Sequence, residues 1–261
     1  NKYEVVGCDL PEFDLKVAGQ VDEFISSTGP DAIVHLASMT GAKLSMLKHS
    51  EFIDVNVKGT VNVLESCRKM GIKRFIFMSS LTVHGKSGEH INESSPINPH
   101  HIYGATKVAG ESLCQTYSNA YNINYIALRP NLITGPGKVE EDIIFDFIRS
   151  IKSGKPLQVY GNGNHCRQWT HPKDVASAIL IGLENIENVP GVYCIGSNRL
   201  SVVEIANKVI KYFGKGSIEF INSEVQSFSL FCSSKLFEEN TSWKAKISID
   251  QIIKEVCNDI K

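Results

Sequence analysis

The sequence lacks the features that mark several large classes of protein. Its seven cysteines, Cys8, Cys67, Cys114, Cys166, Cys194, Cys232 and Cys257, are scattered along 261 residues with no CxxC pair and no Cys/His spacing suited to zinc. Thiols so placed belong to a reducing compartment, so neither a disulfide framework nor a bound metal is expected. Long hydrophobic runs are missing too. Stretches such as residues 75–78 fall far short of the ~20 apolar residues that span a bilayer, and there is no signal-peptide pattern. A cytoplasmic location, away from membranes, is the expectation. No charge dominates: 27 Lys and Arg stand against 28 Asp and Glu, without a basic run, so nucleic acid is not an expected partner. What is present, 42% hydrophobic and 21% charged residues, suits a soluble globular chain with one α/β domain or a domain and a smaller lobe.

Short apolar runs alternate with longer segments of helical period, the pattern of βαβ units and a parallel sheet. The spacing predicts strands over 3–7, 32–36, 74–78 and 124–128, with helices over 17–26, 51–70 and 103–121. A loop rich in Gly, Asn, Ser and Pro fills 85–99. Beyond Arg129 the alternation is broken by Pro130, Gly135, Pro136, Gly137, Gly161 and Gly163, which points to a smaller lobe. A helix over 174–183 and a strand over 191–195 return to the sheet, while helices over 202–213 and 249–260 belong to the lobe. The expected division is residues 1–129 with about 170–196 for the sheet domain, and 130–169 with 197–261 for the lobe.

Tyr103 and Lys107 stand four apart in a YGATK run at the start of a predicted helix, so phenol and ammonium share one face. A nearby cation favours the phenolate and makes a weak base a usable proton acceptor. Polar pairs at this spacing also occur on solvated helix faces, so the surroundings decide. Here the surroundings are a buried strand that delivers Ser79 and Ser80 at its carboxyl end, where open α/β sheets bind ligands.

With these motifs the chain resembles the extended short-chain dehydrogenase/reductase family, also called the NAD-dependent epimerase/dehydratase family. The VHG run at 83–85 stands where the family has Val-Tyr-Gly. That register implies Ser80 as the catalytic hydroxyl, Tyr103 as the base and Lys107 as its partner, with Tyr103 and Lys107 also holding the cofactor. Residues 32–38 resemble the strand whose end, at Leu36, Ala37 and Ser38, touches the cofactor, and Asn56 in NVKGT its supporting helix. Arg129 and Pro130, with the GPG run at 135–137, resemble the turn beside the nicotinamide. Arg167, ahead of Asp174, resembles the residue that grips a nucleotide diphosphate, though a guanidinium suits any carboxylate as well. Thr82 and Asn131 complete the implied substrate contacts. Asp9, at the end of what resembles the family's second strand, suits both ribose hydroxyls and repels an extra phosphate, which favours NAD over NADP. Asp14 and Leu15 resemble the adenine-flanking pair, and capping of the next helix accounts for Asp14 equally well. His35 reads as packed under the sheet. His84, His100 and His101 read as loop histidines without a role.

The resemblance implies a Rossmann-like doubly wound parallel sheet with a smaller α/β substrate lobe. Its first strand and GxxGxxG turn, which bind pyrophosphate, are not in this sequence. The sheet is therefore expected to lack that strand, with about thirty residues, one strand-turn-helix unit, absent from the sequence; a truncated gene product that binds NAD poorly is the alternative. Leu81 and Thr82 replace the Asp-Glu pair of the family's dehydratases, and Leu132 stands where many members carry a substrate Asn. The implied activity is NAD-dependent epimerisation of a nucleotide-diphosphate sugar through a transient keto intermediate. An NAD(P)H-dependent reductase of a 4-keto nucleotide sugar and a catalytically silent scaffold are the rival readings. Helices 51–70 and 105–121 are where the family pairs into a homodimer, and amphipathic helices of this kind also simply cover a sheet.

Overall fold

The computed structural model describes residues 3–11, 13–85, 90–138, 142–222 and 228–260. They form two compact units. Residues 1–85, 96–129 and 179–193 make the first, and 86–95, 130–178 and 194–261 the second.

The first unit runs through α1 (Ala18–Thr28), β1 (Ile33–His35), the short helices α2 (Ala42–Ser45) and α3 (His49–Ile53), α4 (Gly59–Met70), β2 (Arg74–Met78), α5 (Ile102–Tyr121) and β3 (Asn124–Pro130). β1 pairs parallel with β2, and β2 with β3; the strand Gly191–Ile195, which begins in this unit, follows β3 in the sheet. Phe75, Ile76 and Phe77 are all buried, so β2 reads as a continuous apolar run because both of its faces are covered. Val21 and Ile25 of α1 join Val63, Leu64 and Cys67 of α4 in one cluster with Phe75 and Phe77. α5 approaches β2 at Gly110, where a Cβ would lie 2.2 Å from Phe77 Cζ. No larger residue fits between that helix and that ring.

One expectation fails here. Residues 3–7 form no strand, and Val5 and Val6 are 84% and 58% exposed. An extended segment becomes a strand only where it joins a sheet, and this one belongs to none of the sheets formed by the described residues. The helix expected over 51–70 is present and carries a wide turn within it. α3 stops at Ile53, Asp54–Lys58 form a π turn, and α4 resumes at Gly59. Such wide turns interrupt the 3.6-residue repeat and recur at functional sites.

In the second unit, Leu132–Ile133 pairs parallel with Cys166–Thr170, which pairs antiparallel with Arg199–Ser201. Leu157–Tyr160 and Ile218–Ile221 form a separate parallel pair. Helices Ile143–Lys152, Val202–Phe213 and Ile249–Asp259 bury Phe147, Ile148, Ile205, Val209, Ile252 and Val256 around Trp169. A capping box of Ser201 and Glu204 starts Val202–Phe213. Residues 90–95 group with this unit because Ile91 bridges Cys232 and Glu93 accepts from Cys194 N at 2.8 Å. Among the described residues no helix is long and apolar enough to cross a membrane, and no His/Cys/Asp/Glu group is arranged to hold a metal ion.

Candidate active site

β2 ends at Met78, and the chain turns through Ser79 and Ser80 into a 3-10 turn, Leu81–His84. Ser80 caps that turn. Its Oγ accepts from Thr82 N at 3.3 Å and from Thr82 Oγ1 at 3.0 Å, so two hydroxyls sit side by side at the carboxyl end of the sheet. Opposite them begins α5. His101 caps its start, with Nδ1 accepting from Gly104 N at 3.0 Å and the ring stacked on Tyr103 at 6.1 Å. The glycine of YGATK has a steric reason: a Cβ on Gly104 would lie 2.9 Å from Thr82 O and 3.0 Å from Pro99. Only a bare backbone lets the turn carrying Tyr103 approach the turn carrying Ser80 and Thr82.

Lys107 lies one helical turn after Tyr103, with its Nζ 5.7 Å from the centre of the Tyr103 ring and donating to Met78 O at 2.7 Å. The side chain is only 3% exposed. Burial disfavours the ammonium and pushes its pKa down to about 8, against the opposing pull of Glu111. The charge is therefore lost as pH rises through about 8, and the support for a Tyr103 phenolate goes with it. NMR titration of the cofactor-free protein is expected to show one lysine titrating near 8 that disappears in Lys107→Met. A Lys107 that stays charged up to the ordinary ~10.4 refutes this assignment.

Asn56, on the inside of the π turn, is 2% exposed. Its Oδ1 accepts from Met39 N at 2.7 Å, and its Nδ2 donates to Met39 O and to Thr106 Oγ1, both at 3.0 Å. The loop after β1 is thereby tied to α5 between Tyr103 and Lys107. Of that loop, Leu36 and Ala37 are exposed and Ser38 is half-buried. His35 is packed under the sheet, and burial followed by the charge of Lys107 holds its pKa down at about 3. Its Nε2 lies 3.0 Å from Thr60 Oγ1.

Asp9 is exposed and accepts from Leu10 N at 2.8 Å. Asp14 accepts from Lys16 N at 2.9 Å, just ahead of α1, and Leu15 is buried against Gly59. Pro130 ends β3, buried. The remaining expected residues, Asn131 and Arg167, are in the second unit, and both donate to the 228–230 segment. Asn131 Nδ2 donates to Leu230 O at 2.8 Å. Arg167 donates to Phe228 O and to Cys166 O, and its guanidinium lies 4.8 Å from the Phe228 ring centre. Burial holds its pKa below the usual arginine range.

Behind the Ser80 turn lies a chain of buried polar residues, Ser79, Glu111, Arg129 and His84, of which the sequence had not singled out Glu111. Arg129 makes a two-pronged pair with Glu111, at 2.8 and 2.6 Å, and Glu111 also accepts from Ser79 Oγ. Arg129 Nη1 lies 3.1 Å from His84 Nε2, and His84 Nδ1 lies 3.0 Å from Pro96 O. His84 is fully buried, which corrects its reading as a loop histidine without a role. One signal was available: Glu111 follows Lys107 by four residues, one turn along the same face of α5.

A nicotinamide dinucleotide is the cofactor implied by the resemblance, and the buried ammonium tests the fit. Lys107 has three donors, and among the described residues its hydrogen-bond acceptor is Met78 O. Two donors are left for ligand hydroxyls, as a ribose requires. A model of the NAD dependent epimerase/dehydratase family matches residues 1–196. The chain belongs to this family. Among its relatives is a trifunctional UDP-glucose 4,6-dehydratase/UDP-4-keto-6-deoxy-D-glucose 3,5-epimerase/UDP-4-keto-L-rhamnose-reductase of Arabidopsis thaliana, 35% identical over 85% of this chain and 34% of the relative. The chain thus spans about a third of that protein's length. A UDP-glucuronate 4-epimerase of Thermodesulfobacterium geofontis is 27% identical over 87% of this chain and 71% of its own. RMD from Pseudomonas aeruginosa, solved with NADPH, shares the fold with a TM-score of 0.86 at 24% identity, over 96% of this chain and 87% of that one. The family's relatives are nucleotide-sugar epimerases, dehydratases and reductases, and its cofactors are NAD(P).

Proposed function

We propose that this family member epimerises a nucleotide-diphosphate sugar through a transient keto sugar, with NAD as cofactor. The observation that carries the reading is the Tyr103–Lys107 face of α5 set against the Ser80–Thr82 hydroxyl pair, with two donors of Lys107 to spare. Tyr103, as phenolate, takes the proton from the sugar hydroxyl at the reacting carbon and returns it at the end of the cycle. Ser80, buttressed by Thr82, hydrogen-bonds the same oxygen. Lys107 stabilises the phenolate and holds the nicotinamide ribose. Hydride acceptance and return is the chemistry the nicotinamide supplies when bound.

Elimination of water needs an acid and a base where Leu81 and Thr82 stand. Leu81 is 1% exposed and apolar, so this reading favours epimerisation over dehydration. Asp9 would bind the adenosine ribose hydroxyls and disfavour NADP, with Leu36, Ala37, Ser38 and Pro130 lining the rest of the cofactor's path and Asn56 supporting the cofactor through the loop it holds. Asn131 and Arg167 would hold the nucleotide diphosphate. The free cysteines fit a reducing cytoplasm.

The test is incubation of the natural gene product with UDP-glucose and with UDP-glucuronate. The 4-epimer is expected by proton NMR, without net change in NADH. Consumption of NADH in step with a 4-keto sugar would instead make the protein a reductase. No turnover of any nucleotide sugar would leave the scaffold reading.

A further inference from the structure

The turn that carries Ser80 and Thr82 is held at both ends by one ion pair. At its start, Ser79 N donates to Leu128 O at 2.8 Å, and Ser79 Oγ donates to Glu111. At its far end, His84 meets Arg129, the partner of Glu111. Glu111 follows Lys107 on α5, the helix that also carries Tyr103. The hydroxyl pair and the Tyr–Lys pair, on separate elements, are therefore referred to the same carboxylate.

The His84 ring has a defined part in this. A carbonyl only accepts, so Nδ1 carries the proton donated to Pro96 O; a guanidinium only donates, so Nε2 accepts from Arg129 Nη1. One imidazole thus clasps the 96–98 loop and the ion pair at once. The bond from Asn98 N to Val83 O, 2.9 Å, closes the same loop beside it. An apolar side chain of equal size fills the space but clasps neither partner.

We propose that His84 is a positioning residue. By joining Arg129 to Pro96 O it holds the 80–84 turn, and so the Ser80–Thr82 hydroxyls, in register with Tyr103 and Lys107. This rests on the functional reading above. Small misplacements of reacting groups by residues outside the chemistry cost up to about 10²-fold in rate.

The experiment compares His84→Phe, His84→Gln and Tyr103→Phe in the natural gene product, with UDP-glucose and UDP-glucuronate as substrates. His84→Phe is expected to lose about 10²-fold in kcat, with KM unchanged. His84→Gln, whose amide accepts from Arg129 and donates to Pro96 O, is expected to recover most of that loss. Wild-type kcat in His84→Phe overturns the proposal, as does a loss confined to KM or equal losses in both variants. If His84→Phe does not fold, the wild-type imidazole decides. Nitrogen NMR is expected to show the proton on Nδ1, and a proton on Nε2 overturns the clasp. An inactive Tyr103→Phe beside a fully active His84→Phe refutes this proposal alone. A fully active Tyr103→Phe refutes the functional reading itself.

Discussion

Tyr103→Phe is expected to lower kcat by about 10²–10⁴-fold, the usual worth of a positioned general acid–base. The substitution removes one oxygen and keeps the ring, so the edge contact with Phe52 at 6.4 Å and the stacking on His101 at 6.1 Å persist. The thermal midpoint should stay within a degree or two of wild type, since Tyr103 is only half-buried and the substitution leaves its ring in place. Steady-state kinetics on the accepted nucleotide sugar, beside circular dichroism, makes the check. A folded Tyr103→Phe enzyme with full turnover removes the phenol from the mechanism.

Glu111→Ala is expected to destabilise the protein by about 3–5 kcal/mol, because it strands a charge rather than deleting a pair. Arg129 is 5% exposed and Glu111 8%, with their closest atoms 2.6 Å apart. Loss of the carboxylate leaves the guanidinium desolvated without its counter-charge and takes the acceptor from Ser79. Replacing both partners together, as Glu111→Leu with Arg129→Met, should cost far less, since apolar side chains of similar volume need no solvation. Denaturant unfolding of the single and double variants measures the difference. A Glu111→Ala variant within about 1 kcal/mol of wild type shows that the pair contributes no more than an exposed one.

Parts of this fold were legible from local pattern alone. The predicted limits of the strands Arg74–Met78 and Gly191–Ile195 and of the helix Val202–Phe213 coincide with the observed ones. Their signals are short-range: a continuous apolar run in β2, and the helical period of the apolar residues in Val202–Phe213. Residues 3–7 carry an equally good strand signal and form none, since pairing is supplied by a neighbour and not by the segment. The π turn at Asp54–Lys58 was illegible for a related reason. Its apolar spacing continues that of the flanking helices, while the bonds of Asn56 within it run to Met39 and Thr106, residues distant in the chain.

By itself the sequence determined the α/β alternation, the Tyr103–Lys107 face and the serine at the end of β2, because each depends on spacing along one element. Only the tertiary structure decided that Lys107 is buried with its pKa near 8, and that Gly104 permits close approach to Thr82. It alone joined Ser79, His84, Glu111 and Arg129. Desolvation and buried hydrogen bonds depend on what surrounds a group, and those surroundings come from segments distant in the chain.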